Sequence, residues 1–461
     1  MKFQIHKLLS NLEGEILFKN SHLSIPFVVP GDIVEVKIRK RHAQLIKLER
    51  NSNFSHLVEP KCRYFSECGG CKGQHLDYPY QWGLKTQELK NYYQKEFSLK
   101  IEEVLPSQKY HYRNRMDFVV TEEKVGLRKL YDYNSIVDIE QCEIQSQEAN
   151  EILLSFRNLL KEYPNLGYSR KLHQGVIKYI TLRVGDSIFV ILTINENYHH
   201  NEVLKQSYQN FLQKFIQKLK ELQDQFQKTI SLKECYTGTF SEVSNVLNGK
   251  VLLGMPYFEI SFADLKFQIP PDSFFQPHTS VITQMMGKAI QFLRKTRALP
   301  SSISLMDLFC GVGTLLLLVY DRLSDTYSIK DMMGVEFSES SIAWAKVNFE
   351  YYLRSSPKMT SFEFQAKDLT KKLDIKPSEN TVLILDPPRS GLHKNLINWI
   401  IKHQKQIRWI LYLSCNPQKQ KDEIEILKKF YQVKYIVFGD PFPHTAHWES
   451  LIVLQGHQLS K

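Results

Sequence analysis

The chain of 461 residues has no long hydrophobic run, and four of its seven cysteines are scattered singly along it. The longest purely apolar stretch, Leu315–Tyr320, is far shorter than the roughly 20 residues that a bilayer-spanning helix needs. The polar segment Met1–Ser10 has no apolar signal-peptide region. These absences predict a cytoplasmic protein that does not associate with a membrane. They also favour cysteines that act as metal ligands, catalytic thiols or core residues over disulfides.

The composition is that of a globular protein, with 43% hydrophobic and 24% charged residues. Lysine and arginine outnumber aspartate and glutamate by 60 to 49, a net charge of +11. This excess is compatible with a polyanionic partner, and equally with an enzyme that is merely basic. The length predicts two or three domains.

The pattern of elements divides the chain into three predicted domains. Residues 1–56 read as short strands, which predicts a small β-barrel; one strand alternates apolar and basic residues and predicts a cationic face, with Val34, Val36 and Ile38 opposite Lys37, Arg39 and Arg41. Residues 57–270 mix strands and helices, including a helix over Tyr78–Tyr93 and another near Ser207–Gln227. Residues 271–461 alternate apolar strands with helical segments, which is typical of a mostly parallel sheet with crossover helices.

A glycine loop follows the first apolar strand of the C-terminal domain. In SLMDLFCGVGT, Gly311 and Gly313 permit a tight turn and a close approach of the backbone to a ligand. Carboxylates stand at or just after the next three strands, at Glu336, Asp368 and Asp386. There is no GxxxxGK[ST] phosphate loop. The pattern therefore favours an adenosine bearing a sulfonium, as in S-adenosylmethionine, over a nucleoside triphosphate.

Two further residues predict covalent catalysis. Cys415 ends the strand ILYLSC, and Pro417 forces a sharp exit that keeps the thiol at the sheet edge. Glu449 begins another apolar strand and is a candidate general base. A thiolate that adds to carbon 6 of a pyrimidine makes carbon 5 nucleophilic, and a base must then remove the carbon 5 proton. In a stacked duplex carbon 6 is shielded, so the target base should be single-stranded or flipped out.

Six motifs together resemble the RNA uracil-5-methyltransferase family, in particular the branch that modifies 23S ribosomal RNA and carries an iron–sulfur cluster. They are HYRNR, DSFFQ, DLFCGVGT, DPPRSGL, SCNP and FPHTAHWE. The resemblance implies a TRAM-type barrel, a central α+β iron–sulfur domain and a Rossmann-like class I methyltransferase domain with a seven-stranded sheet. It further implies a monomer whose substrate is RNA, in particular 23S ribosomal RNA, and a role in rRNA processing.

The same resemblance assigns roles to individual residues. It implies that Cys415 is the nucleophile and that Glu449 abstracts the proton. It implies cofactor contacts at Gln276, Phe309, Thr314, Glu336, Asp368 and Asp386.

A cysteine cluster lies early in the second domain. Cys62, Cys68 and Cys71 are spaced C-x5-C-x2-C, and Cys142 is the candidate fourth ligand. Four thiolates suit either zinc or a cubane cluster. The resemblance favours a 4Fe–4S cluster over zinc, with a role in folding the loop and supporting RNA binding.

Several other functions share part of this sequence pattern. A radical S-adenosylmethionine enzyme normally has C-x3-C-x2-C, and an aminomethyl-forming enzyme has an aromatic residue where Arg389 stands. A 5-methylcytosine enzyme is chemically close, because it also attacks carbon 6. A tRNA uracil-5-methyltransferase and a non-catalytic RNA-binding iron–sulfur protein are the remaining alternatives. Cys415 argues against the last, because an inert module has no need of a thiol beside a cofactor crevice.

Overall fold

The computed structural model describes residues 1–39, 42–244, 248–297, 299–355 and 361–457. The strands are β1 (Lys2–Gln4), β2 (Gly14–Phe18), β3 (Ser21–Ile25), β4 (Ile33–Arg39), β5 (His42–Glu49), β6 (Ile101–Val104), β7 (Arg115–Val120), β8 (Val125–Lys129), β9 (Asp132–Asp138), β10 (Ile177–Val184), β11 (Ile188–Asn195), β12 (Ile230–Thr237), β13 (Lys250–Leu253), β14 (Phe258–Phe262), β15 (Leu265–Ile269), β16 (Ser302–Leu308), β17 (Ser328–Glu336), β18 (Ser361–Ala366), β19 (Thr381–Leu385), β20 (Ile407–Ser414), β21 (Tyr431–Gly439) and β22 (Glu449–Gly456). The α-helices are α1 (Tyr78–Phe97), α2 (Gln147–Leu160), α3 (Glu202–Phe226), α4 (Thr279–Lys295), α5 (Thr314–Leu323), α6 (Glu339–Ser355), α7 (Lys394–Lys402) and α8 (Pro417–Leu427).

The chain divides into two compact units. The first unit comprises residues 1–86, 108–260 and 442–446, and the second comprises residues 87–107, 261–441 and 447–461. This division does not test the predicted boundaries at residues 56/57 and 270/271, which stay predictions.

The N-terminal region of the first unit is built from short strands. Strand β4 pairs antiparallel with both β1 and β5, and β2 pairs with β3. Val34 and Val36 are buried while Lys37 is exposed, as the alternating pattern predicts. The side chain of Arg39 and all of Arg41 lie outside the described residues. The region is therefore β-structured, and its TRAM-type identity stays a prediction.

A larger sheet forms the rest of the first unit. Within the described residues it has seven strands in the order β13-β12-β11-β10-β7-β8-β9, and only the β11–β12 pair among the recorded pairings is parallel. The helix predicted near Ser207–Gln227 is α3, which begins earlier because Asn201 caps it by accepting from the backbone N–H groups of Val203 and Leu204. Its aromatic stripe packs in the core: the rings of Phe156 and Phe215 lie 5.4 Å apart.

The second unit contains the predicted methyltransferase sheet. In the described part of the chain its strand order is β18-β17-β16-β19-β20-β22-β21-β6, and β22 is antiparallel to both neighbours. The prediction of seven strands was wrong, because β6 adds an eighth. Strand β6 has the sequence IEEV and pairs in parallel with β21 at the edge. Its two glutamates gave it no apolar strand pattern, and it lies far from the other seven strands in the sequence.

The parallel order places strand ends together. Strands β16, β17, β18, β19 and β20 run in the same direction, so the residues that follow them meet at one edge of the sheet. That edge carries the glycine loop, the predicted carboxylates and Cys415. Among the residues described, no helix is both long and apolar enough to cross a bilayer.

Candidate active site

The glycine loop has the geometry that the motif predicts. Gly313 has φ +83°, and a Cβ at this position would lie 2.8 Å from the ring of Phe349. Both the conformation and the close approach therefore require glycine. The loop leads directly into α5, whose first residue is the buried Thr314. Phe309, immediately after β16, has φ +80°, a conformation rarely adopted by a phenylalanine.

Glu336 is fixed in orientation at the end of β17. Its Oε1 accepts hydrogen bonds from the backbone N–H groups of Phe337 (2.8 Å) and Ser338 (3.1 Å). Its Oε2 accepts from the N–H of Gly311 at 3.2 Å. The carboxylate thus joins the second strand to the glycine loop. Its predicted contact with the ribose stays a prediction.

Asp307 is a buried acid of the first strand of this sheet edge that the sequence did not single out. It lies in β16 and is 1% exposed. Burial, together with the nearby charges of Asp386 and Glu336, raises its pKa well above the ordinary value. The only signal was a single acid inside the apolar run SLMDLF.

Asp386 follows β19 and lies with the candidate catalytic residues. Its Oδ2 accepts a hydrogen bond of 2.7 Å from Nε2 of Gln276, a residue predicted to contact the cofactor. Burial raises the pKa of Asp386 to about 7, and the hydrogen bond from Gln276 lowers it in part. Asp386 in turn raises the pKa of both Cys415 and Glu449. The position of Asp386 after a parallel strand predicts that it lies at this edge of the sheet, but not that it lies near Cys415 and Glu449.

Cys415 stands between β20 and α8 with its side chain half-buried. Burial raises the pKa of the thiol to about 12; the carboxyl groups of Glu449 and Asp386 also raise it, while the guanidinium of Arg389 lowers it. The resting group is therefore a thiol at neutral pH. A thiolate must be produced when substrate is attacked, and Arg389 is a cation placed to favour it.

Glu449 lies near the candidate nucleophile. Strands β20 and β22 pair antiparallel as far as Ser414 and Ser450, which Cys415 and Glu449 directly adjoin, and the charge of Glu449 raises the pKa of the Cys415 thiol. Glu449 is 2% exposed, and its Oε2 has no hydrogen-bond partner among the described residues. Burial and Asp386 raise its pKa well above the ordinary value, whereas Arg389 lowers it. A buried carboxyl with a free oxygen and raised basicity suits proton abstraction.

The remaining predicted cofactor residue is held by its own loop. Asp368 follows β18, and its Oδ1 accepts hydrogen bonds from the hydroxyl of Thr370 at 2.6 Å and from the Thr370 N–H at 2.9 Å. These bonds lower the pKa of Asp368. It stays ionised at neutral pH, and its predicted contact with adenine stays a prediction.

The four predicted metal ligands surround one cavity of the first unit. This cavity has a volume of about 480 Å³ and is lined by Cys62, Cys68, Cys71 and Cys142. Burial raises the pKa of every one of these thiols, that of Cys68 to about 11. The four cysteines therefore line one cavity, and their role as metal ligands stays a prediction.

The described residues contain no group of three or more histidine, cysteine, aspartate or glutamate side chains arranged to hold a metal ion. The predicted iron–sulfur cluster is therefore not confirmed.

Comparisons with known proteins show the family. The sequence profile described as tRNA (uracil-5-)-methyltransferase matches residues 77–457. A protein of Leptospira interrogans serovar Lai, named an uncharacterized RNA methyltransferase, is 34% identical over 97% of this chain and 95% of its own. The tRNA (uracil(54)-C(5))-methyltransferase of Pyrococcus abyssi is 27% identical over 92% of this chain and 94% of its own.

One solved structure is similar over nearly the entire length. The Pyrococcus abyssi tRNA (uracil-54, C5)-methyltransferase in complex with S-adenosyl-L-homocysteine covers 98% of this chain and all of that one, with a TM-score of 0.71 and 23% identity. At this identity the similarity shows the α/β methyltransferase fold alone.

The chain belongs to the RNA uracil-5-methyltransferase family. The enzyme class predicted from the sequence, an S-adenosylmethionine-dependent RNA uracil-5-methyltransferase, is confirmed by this membership. The 23S-specific branch, the TRAM domain and the cluster are finer predictions that the family match leaves open.

Proposed function

We propose that this enzyme methylates carbon 5 of a uridine in RNA, with Cys415 as nucleophile and Glu449 as base. The observation that supports the proposal is the position of Cys415 and Glu449 next to Ser414 and Ser450, the last β20–β22 pair, where the half-buried thiol is near a buried carboxyl with an unpartnered oxygen. A structural cysteine would have no need of this arrangement beside the glycine loop and the strand-end carboxylates.

The chain's residues account for each bond change. The Cys415 thiol releases its proton to solvent and its sulfur bonds to carbon 6 of uracil, which moves the electron pair of the ring double bond toward carbon 5. When bound, S-adenosylmethionine supplies the methyl group that carbon 5 receives. Glu449 then takes the carbon 5 proton, the double bond re-forms, and the carbon–sulfur bond breaks to release Cys415.

The electrostatics favour this sequence of proton movements. Glu449 has a raised pKa, so its carboxylate is a stronger base than an ordinary glutamate once it is ionised. Arg389 lowers the pKa of both Cys415 and Glu449, and so it stabilises the anionic form of each. The site thereby keeps the thiol protonated at rest and provides a cation for the anion that forms during attack.

The cofactor is assigned to the edge that carries the glycine loop. We assign Gln276, Phe309, Thr314, Glu336, Asp368 and Asp386 to S-adenosylmethionine, on the motif resemblance and their position at this edge. Asp307 belongs to the same crevice, because Glu336 and Asp386 both act on its carboxyl group.

We propose 23S ribosomal RNA as the target, because the motifs resemble those of the branch that modifies it. A transfer RNA is the second candidate, because the matching family description and the named Pyrococcus relative both concern tRNA. The net charge of +11 suits either polyanion.

We also propose that Cys62, Cys68, Cys71 and Cys142 hold a 4Fe–4S cluster that supports the cysteine loop. What supports this is the shared cavity and the C-x5-C-x2-C spacing. When bound, such a cluster supplies four iron–thiolate bonds that would crosslink the loop to the segment around Cys142. Methyl transfer itself requires no electron.

Mapping 5-methyluridine tests the proposal and its target together. Ribosomal and transfer RNA from cells that lack the gene should be compared with RNA from the parent strain by nucleoside mass spectrometry. We expect one or more 5-methyluridines to disappear from 23S RNA and to return on incubation with the purified enzyme and S-adenosylmethionine. Loss from tRNA alone would select the second candidate, and no loss from either would contradict the proposed function.

A further inference from the structure

Helix α8 presents a buried polar face beside the candidate nucleophile. Asn416 caps the helix, and Gln420 and Glu423 follow at spacings that put all three on one side. Gln420 is fully buried and Glu423 is 1% exposed. Burying an apolar side chain at these positions would cost less free energy, because a buried polar group is unfavourable unless it is hydrogen-bonded. The partners of these three side chains therefore indicate what the face does.

Asn416 joins the helix to the loop that carries Arg389. Its Oδ1 accepts from the backbone N–H of Lys419 at 3.2 Å, which caps the helix. Its Nδ2 donates to the backbone carbonyl of Arg389 at 3.0 Å. The residue next to the nucleophile thus holds the main chain of the cation that acts on the thiol.

Glu423 holds the other end of the same loop. Its Oε1 accepts from the N–H of Leu392 at 2.8 Å, and its Oε2 accepts from the hydroxyl of Tyr412 in β20. Gly391 has φ +75°, and a Cβ there would lie 2.2 Å from Glu423 Oε1. Glycine is therefore required for the loop to approach this carboxylate. We call residues 389–392 the arginine loop.

Gln420 connects the helix to the strand of the base. Its Nε2 donates to the carbonyl of Tyr412 at 2.8 Å, and its Oε1 accepts from the hydroxyl of Ser450. Ser450 directly follows Glu449 at the start of β22. One buried amide therefore spans the strand that ends at the nucleophile and the strand that begins with the base.

We propose that Asn416, Gln420 and Glu423 are positioning residues, through which helix α8 fixes the arginine loop and the start of β22 relative to Cys415. The inference rests on the proposed function, because it assigns these three side chains to the same thiol and carboxyl. The three residues support two different steps. Asn416 and Glu423 support formation of the covalent adduct, and Gln420 supports its resolution.

The first arm of the test follows ionisation of the thiol. The groups that face Cys415 are Glu449 and Asp386, which raise its pKa, and Arg389, which lowers it. If the arginine loop loosens, the thiol should become harder to ionise. Alkylation of Cys415 by iodoacetamide, quantified by peptide mass spectrometry as a function of pH, measures this directly.

We expect Asn416→Ser and Glu423→Leu to slow alkylation at each pH by roughly threefold to tenfold, a shift of about 0.5–1 pH unit. Serine keeps the helix cap and loses the bond to the arginine loop, so Asn416→Ser should fold even where Glu423→Leu does not. Glu423→Gln retains an acceptor for the Leu392 N–H and should restore most of the rate. Gln418→Ala, an exposed position of the same helix, is the control.

The second arm follows the covalent adduct. With unmodified RNA and S-adenosylmethionine, Gln420→Leu should accumulate a protein–RNA adduct resistant to denaturing gels, because Glu449 is displaced from the carbon 5 proton. Adduct formation with RNA containing 5-fluorouridine should be little changed. In Asn416→Ser the reverse is expected, with slower trapping and no accumulation.

The two ideas fail in different ways. One contrary result is that the variants only lower the melting temperature, with the pH dependence of alkylation and the amount of accumulated protein–RNA adduct both unchanged. That result would show that α8 is only a structural support, and it would overturn the inference alone. Full turnover by Cys415→Ala would instead overturn the proposed function on which the inference rests.

Discussion

Cys415 and Glu449 directly adjoin Ser414 and Ser450, the last pair between the antiparallel strands β20 and β22, and the charge of Glu449 raises the pKa of the Cys415 thiol. The sheet is otherwise built mainly of parallel strands, so β22 is the element that brings the proposed base back to the edge at which β20 ends. The proposed nucleophile and the proposed cofactor residues follow the parallel strands.

The first prediction concerns the base. Glu449→Gln removes the proton acceptor and leaves the nucleophile intact, so methylated adduct should accumulate while turnover falls by about 10²-fold or more. Gel shift of the protein with RNA and labelled S-adenosylmethionine measures both. Glu425→Gln, in a half-exposed glutamate paired with Lys428, is the control and should turn over normally. Normal turnover by Glu449→Gln would remove Glu449 from the mechanism.

The second prediction concerns the cation. Because the pKa of the Cys415 thiol is about 12, its alkylation should rise about tenfold per pH unit between roughly pH 7 and 10. Arg389→Ala removes a charge that lowers this pKa, so alkylation should be slower at every pH in that range. Arg389→Lys keeps the charge and should recover part of the rate. Identical profiles for all three proteins would show that Arg389 does not act on the thiol.

The third prediction concerns stability and pH. The pKa of Asp386 is raised to about 7, so the folded state binds a proton that the unfolded state releases near pH 4. This carboxyl therefore destabilises the fold progressively as pH rises from about 4 to 7, and the cost persists above 7. Asp386→Asn removes the cost and should raise the melting temperature by a few degrees at pH 8, on the order of 2–4 °C per kcal/mol relieved.

The same substitution should raise the melting temperature less at pH 5, where the folded wild-type protein is still protonated at Asp386. Scanning calorimetry at the two pH values provides the comparison. An equal increase at both, or a decrease at pH 8, would contradict the raised pKa.

The fourth prediction concerns the cysteine cavity. Protein purified without oxygen should absorb broadly near about 400 nm and contain about four iron atoms per chain. Cys71→Ala should lose the absorption, whereas Cys235→Ala, at a core cysteine outside the cavity, should retain it. A colourless protein with one zinc per chain would contradict the cluster.

Much of the second unit could be predicted because its strands are apolar and their ends carry polar residues. Strand β20 contains the apolar residues ILYLS that precede Cys415, and β16 contains the residues SLMDL that precede the glycine loop. Cys415 and Glu449 were found because each adjoins such a strand and the motifs around them are specific.

Other features had no local signal. In the sequence, Asp307 is a single acid inside an apolar strand. Only the structure shows that Glu336 and Asp386 lie near enough to raise the pKa of its carboxyl group. Gln420 and Glu423 read as ordinary polar residues of a surface helix, although they are buried. Strand β6 pairs with β21 across more than 300 residues of sequence, a relationship that no window of the sequence contains. Contacts of this kind arise from tertiary packing and must be observed.

The most direct test of the account is covalent trapping by RNA that contains 5-fluorouridine. With carbon 5 fluorinated there is no proton for Glu449 to remove, so the methylated intermediate cannot resolve. We expect a stable complex in the presence of S-adenosylmethionine, with the RNA linked to the peptide that contains Cys415, and no complex with Cys415→Ala. Methylation without any trapped complex, or a crosslink at another residue, would contradict the central claim.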